Sequence, residues 1–271
     1  MNPRRLSLNQ YTTNHWSVAE AVAGCVQAGI PAIGLWRDKV QAQGLSESAQ
    51  LVREAGLAVS SLCRGGMFPA PTKQERQQRI EDNHRAIDEA AALGTDTLVL
   101  VCGGMNGCTI ESARQMVADG IAALLPYAAE RGIRLGIEPL HPMFAADRSV
   151  IVTLEQANNL VEQLNSPWLG VIIDVYHVWW DAHIYREIER AAGHILGFHI
   201  NDWLAPPPDV LMGRGMMGDG VIDISQLYQA VTRAGYTGYI EVEIFNHAIW
   251  NMPGDQVLKT ITERYAQLPE S

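Results

Sequence analysis

Lysine is nearly missing from this chain: only Lys39, Lys73 and Lys259 carry a side-chain amine, and none ends an apolar stretch in the second half. A Schiff-base mechanism needs a buried amine at the reacting centre, so lysine-dependent aldol chemistry is excluded. Positive charge is short as a whole, with 20 basic against 30 acidic residues and a formal charge of −10. That balance excludes the fold-wide basic face that nucleic acid or an anionic membrane demands. Cysteine is limited to Cys25, Cys63, Cys102 and Cys108, without CxxC spacing. This excludes a disulfide-built scaffold and reads as scattered reduced thiols of a cytoplasmic protein. No apolar run approaches a membrane span, and "MNPRRLSLNQYTTNHW" holds no signal-peptide core, so no membrane partner is expected. Phosphate-gripping segments are lacking too. The stretch "NQYTTNHW" has no glycine turn for a dinucleotide, and "WLAPPPDVLMGRGMMGDG" with "NHAIWNMPGDQ" offers Arg214 as its sole cation. A phosphorylated ligand is therefore not expected.

What the chain does have is regular alternation. Short apolar runs read as strands: "LSLNQY", "AIGLW", "AVSSLC", "TLVLVC", "RLGIEPL", "LGVIIDVYH", "ILGFHIND" and "GYIEVEIF". Between them lie longer amphipathic segments, several ending in a glycine (Gly29, Gly56, Gly94, Gly132, Gly193, Gly235) of the kind that closes a helix. Eight βα units in 271 residues match the size of a (β/α)8 TIM barrel. No Pro/Gly/Ser-rich linker divides the chain, so one barrel domain over 1–271 is expected; "APPPD" after the seventh strand is a stiff loop.

Active sites of such barrels gather at the C-terminal ends of the strands. Strand five ends in Glu138, strand six in Asp174, strand seven in His199 and strand eight in Glu243. Singly, such a residue is more often a hydrogen-bond partner for a loop than a ligand. Together, three inward carboxylates and an imidazole repel or stay unpaired without a cation. An oxygen-rich set with one nitrogen suits one divalent metal ion: Mn²⁺ first, with Mg²⁺, Co²⁺ or Zn²⁺ as alternatives. Glu241 shares the parity of Glu243 in "IEVEIF", one layer deeper in the barrel. Asn9 and Trp36 are candidates for substrate contact, and Arg37, Arg64, Trp179, Trp180 and Trp203 also lie near strand ends. Arg37 and Asp38 have the alternative of pairing with each other. The Met-rich "LMGRGMMG" reads as a lid or as an ordinary irregular loop. His15, His84, His183, His194 and His247 read as structural or surface residues.

The set "IEP", "DVYH", "HIND", "VEIF" and "GRGMMGDG", in that order, resembles the xylose isomerase-like TIM-barrel superfamily of sugar isomerases and epimerases, including inosose isomerases and ketose 3-epimerases. The resemblance spans nearly the whole chain. It implies that Glu138, Asp174, His199 and Glu243 bind one divalent metal, with Glu138 and Glu243 as the proton-transfer pair. It also implies that His177 and Arg214 hold substrate hydroxyls. A second branch is similar at "NQYTT", "GIPAIGLWRD", "SSLCRGG" and "EPLHPMFAADR": the large subunit of bacterial C-glycoside deglycosidases, which act on 3-oxo-glycosides. That resemblance implies His141 as an acid/base and a small partner subunit; a homo-oligomer is the other arrangement.

The expected activity is metal-dependent proton abstraction alpha to the carbonyl of a keto-sugar or inosose, giving isomerisation or epimerisation. The alternative is a carbon–carbon or carbon–oxygen lyase on a 3-oxo-glycoside. A third reading, an endonuclease IV-like nuclease, shares the DxxH spacing of Asp174 and His177. It lacks the extra His ligands of a multi-metal cluster, and the acidic balance opposes DNA binding. A non-catalytic barrel that binds a sugar or a protein is opposed by the intact ligand set.

Overall fold

The computed structural model describes residues 1–269. Eight parallel strands form a closed ring. The first seven are β1 (Leu6–Asn9), β2 (Ala32–Trp36), β3 (Ala58–Gly66), β4 (Thr97–Val101), β5 (Arg134–Glu138), β6 (Leu169–Asp174) and β7 (Ile195–Ile200). A short antiparallel pair, β8 (Asp202–Trp203) with β9 (Arg214–Gly215), precedes the last ring strand, β10 (Ile240–Val242). Each ring strand pairs with its sequence neighbours, and β10 closes onto β1. This is the (β/α)8 barrel that the alternation of strands and helices predicts.

Local chemistry sets the helix limits. Helices Val18–Ala28 and Lys73–Leu93 open with reciprocal capping boxes, Ser17 with Glu20 and Thr72 with Glu75. Such caps contribute about 1 kcal/mol each by satisfying amides that the first turn leaves free. Four of the sequence-marked glycines, Gly29, Gly56, Gly94 and Gly132, end helices in the left-handed conformation.

The ring strands bury both faces, as parallel strands under a helical shell must. Outside the ring, one large apolar core joins strands to helices. Inside it, Cys63, Val99 and Ile172 pack together with Trp36 and Leu196. Burying Ile172 completely is worth about 1.5–3 kcal/mol. The interior turns polar toward β1 and β10. There the pairing of β2 with β3 slips between Ile33/Gly34, so Val59 and Ser61 are partners of consecutive residues and Ser60 is the extra one. A bulge re-aims side chains. Ser60 and Ser61 both donate to Glu241, although adjacent strand residues ordinarily face opposite ways.

Two expectations are corrected here. Arg37 does not pair with Asp38: its Nη1 donates to Asp82 Oδ2 at 2.9 Å and its Nη2 to Glu89 Oε1 at 3.2 Å, while Asp38 accepts from Tyr11 Oη at 2.8 Å. A guanidinium fork engages two carboxylates on the long helix Lys73–Leu93 better than one on its own turn. Met216 and Met217 are no lid, because both are buried in the main core. Among the described residues, no helix is long and apolar enough to cross a membrane.

Candidate metal centre

Glu138 is the last residue of β5 and Asp174 the last of β6. Pairing sets Asp174 level with His199 on one side of β7, and Glu241 level with His199 on the other. Glu243 stands one residue past β10, held by its amide donating to Ile200 O at 3.2 Å. Each of Glu138, Asp174, His199 and Glu243 offers one ligand atom, all within 4.8 Å of one another, and all four residues are buried. His199 Nδ1 lies 3.4 Å from Glu138 Oε1 and 3.5 Å from Glu243 Oε2.

Two of these atoms, Glu138 Oε1 and His199 Nδ1, are buried without a hydrogen-bond partner. A buried ionised oxygen left bare is costly, and both atoms point into the same space. Three carboxylates against one imidazole make a hard, anionic donor set. The residues therefore fit a divalent cation, as the sequence argument requires.

Arg214 already offsets part of the negative charge. Its Nη1 donates to Asp174 Oδ2 at 2.7 Å and Glu243 Oε2 at 2.8 Å, and its guanidinium lies between the rings of Tyr176 and Phe245. Burial would raise the Glu243 carboxyl, but Arg214 and His199 outweigh it and hold it well below the usual range. Burial raises the Glu138 carboxyl, and repulsion from Glu243 adds to this against the pull of His199. Asp174 is pushed up to about 7 by burial despite Arg214. Burial and then Arg214 keep His177 neutral.

Further side chains orient the four candidate ligands. Asp174 Oδ1 accepts from Tyr176 N at 2.9 Å and Asn201 Nδ2 at 3.0 Å. Glu241 lies behind His199, with Oε2 at 3.9 Å from Nε2, the far side of the ring from the other carboxylates. At that distance Glu241 acts on the imidazole through its charge, which favours a proton on the ring. Asn9, expected at the substrate, is fully buried instead. Its Nδ2 donates to Glu241 Oε1 at 2.6 Å and Glu243 Oε1 at 3.2 Å, and its Oδ1 accepts from Trp36 Nε1 at 2.9 Å. Every polar atom of that side chain is engaged, so it braces carboxylates rather than reaching the cavity.

Trp36, His177 and Arg214 do line the central cavity, together with Glu138 and Glu243. His177 Nδ1 accepts from His141 N at 3.2 Å. The His141 ring is outside the cavity lining, packed by Trp180 and Trp203, with Nδ1 accepting from Met143 N at 3.2 Å. Tyr176, Asn201 and Arg148 were not legible as site residues. "HIND" placed Asn201 beside a ligand, the one signal that pointed to any of them.

A family model described as the xylose isomerase-like TIM barrel matches residues 22–266. The chain belongs to that family. Within it, the chain is 28% identical over 218 residues to the 3-dehydroshikimate dehydratase of Pseudomonas putida, covering 76% of this chain and 32% of that protein. It thus spans about a third of that relative's length. It is also 28% identical over 250 residues to the ketose 3-epimerase of Arthrobacter globiformis, 79% of this chain and 82% of that one. The crystal structure of protein SMc04130 from Sinorhizobium meliloti 1021 is 50% identical, covers both chains fully and superposes with a TM-score of 0.97.

Proposed function

We propose that this protein is a divalent-metal-dependent isomerase or epimerase that abstracts a proton alpha to the carbonyl of an unphosphorylated keto-sugar or inosose. The observation that carries this reading is the convergence of Glu138 and Glu243 on His199 Nδ1, with Glu138 Oε1 unpartnered in the cavity. A bound divalent ion, Mn²⁺ by preference, would be held by Glu138, Asp174, His199 and Glu243 and would supply Lewis-acid stabilisation of the enediolate.

The chain's own groups do the rest. One of the two glutamates takes the proton from the carbon beside the carbonyl, and the other returns a proton to the neighbouring carbon or to the opposite face. The first return isomerises and the second epimerises. Arg214 and His177 orient hydroxyls from the β6 and β9 side, and Trp36 presents an indole to the ring of the sugar. A second reading, loss of a beta hydroxyl as water from the same carbanion, is favoured by the match to a dehydratase. The test is solvent deuterium incorporation by NMR with metal-loaded protein and a panel of ketoses, inososes and 3-oxo-glycosides. Label entering beside the carbonyl with the skeleton intact is the expected result. Loss of water or an aglycone without label in recovered substrate supports elimination instead, and an unlabelled, unchanged panel overturns both.

A further inference from the structure

Two cations at the same cavity have no task in this mechanism. Arg64, from β3, and Arg148, from the loop after β5, both line the central cavity with Glu138, His177 and Glu243. They also line an adjoining cleft of about 200 Å³, together with Met67, Val101 at the end of β4, and the exposed Asp147. Because β4 lies between β3 and β5 in the ring, the two arginines flank one arc of the mouth. Arg148 is tied there: Gly103 N donates to Arg148 O, and Val150 N donates back to Gly103 O, each at 2.9 Å. Its guanidinium stands 5.7 Å over the Phe144 ring.

Both side chains are half-buried. Arg37 and Arg214 each engage two carboxylates. Among the described residues, Arg64 and Arg148 have neither a carboxylate within 4.0 Å nor a side-chain hydrogen bond. Burial and then the charge of Arg64 lower the Arg148 pKa, and the neighbouring Asp147 offsets this only in part. Like charges beside a cavity are relieved by an anion that enters it. A guanidinium fork matches the two oxygens of a carboxylate. Phosphates on barrels are ordinarily met in the last two βα loops, by backbone amides of a helix start. Arg64 and Arg148 lie on a different arc and present side-chain forks.

We propose that Arg64 and Arg148 hold a carboxylate of the substrate at the β3–β5 side of the mouth, which makes the substrate a keto-polyol acid rather than a neutral sugar. This rests on the proton-transfer reading for the position of the reacting carbon, and the test separates the two. The full chain, with and without Mn²⁺, is titrated calorimetrically with shikimate (a stable polyol carboxylate), its methyl ester and myo-inositol 1-phosphate. The acid is expected to bind about tenfold or more tighter than the ester, the margin of a hydrogen bond to a charged group. Arg64→Gln and Arg148→Gln should each erase that margin and leave the ester's affinity unchanged.

Equal binding of acid and ester to the unaltered protein overturns the proposal without recourse to any variant. Tighter binding of the phosphate overturns the carboxylate assignment. Solvent-deuterium exchange is followed in parallel on neutral ketoses and on the 3-oxo form of the same acid. Exchange confined to the keto acid supports the proposal. Exchange on neutral ketoses without any preference for the acid overturns it and leaves the proton-transfer reading standing. A preference for the acid with no exchange on any compound supports the carboxylate site and sinks that reading.

Discussion

Gly34 and Glu241 occupy complementary space: a methyl group on Gly34 would fall inside the van der Waals radius of Glu241 Oε1. Glu241 in turn ties together Asn9, Ser60 and Ser61 beneath the metal centre. Gly34→Ala must displace this carboxylate or the strand. The expected cost is about 1–3 kcal/mol of stability, as for other overpacked interiors, with weaker Mn²⁺ binding. Chemical denaturation and a metal titration check it. Unaltered metal affinity in a destabilised variant would remove Glu241 from the support of His199.

Glu138→Gln and Glu243→Gln keep shape and lose the base. Each is expected to lower turnover by about 100-fold to 10,000-fold, the range of general acid–base contributions. Rates are compared under saturating metal, with thermal midpoints as the control for folding. Near-normal rates in both variants would sink their assignment as the proton-transfer pair.

Metal removal should be visible without any substrate. A ligand that binds only the folded chain at a hundred times its dissociation constant stabilises it by about 2.7 kcal/mol. For a chain of this size that raises the thermal midpoint by about 5–11 °C. Calorimetric scans with a chelator and with added Mn²⁺ read the shift. Asp174→Asn should abolish it.

His141 separates elimination from plain isomerisation. Its ring lies outside the cavity lining, so His141→Ala is expected to change isomerase or epimerase rates by less than about tenfold, far short of the loss of a general acid. A loss as deep as that of Glu138→Gln, measured on 3-oxo-glycosides, would instead make it the acid of a lyase.

The Arg37 anchor has a pH signature. Arg37 holds the Asp82 carboxyl below the ordinary aspartate value of about 3.9. A lowered folded value means the contribution is present above that ordinary value and is lost as pH falls through the folded one. Arg37→Met should cost about 1–2 kcal/mol at neutral pH, allowing for the partial exposure of Asp82. Urea denaturation at pH 7 and at pH 3 should show that difference shrink in acid.

The barrel and the four strand-end residues that meet inside it were legible because each is a break in an apolar run. A polar residue that ends a buried strand stands out, and the order of strands in such a ring follows the order in the chain. The partners of Arg37 were not legible, since Asp82 and Glu89 lie on a helix whose docking angle no local pattern states. Asn9 misled for a related reason. It ends a strand as Glu138 does, but only the closure of β1 onto β10 reveals that it faces two carboxylates. The paired aim of Ser60 and Ser61 depends on a bulge, which the alternation rule hides.

Closure of β1 onto β10 also has a consequence for biosynthesis. Asn9 and Glu243 are 234 residues apart in sequence and meet only when the ring is complete. A nascent or clipped chain that lacks the final strand displays Glu138, Asp174 and His199 alone, with no Glu243 and no brace behind it. Such fragments would present one carboxylate fewer to a cation. Under the proposed metal-dependent function, tenacity toward metal would report on whether the whole ring has been finished, and a chelator challenge during translation would sort complete barrels from partial ones.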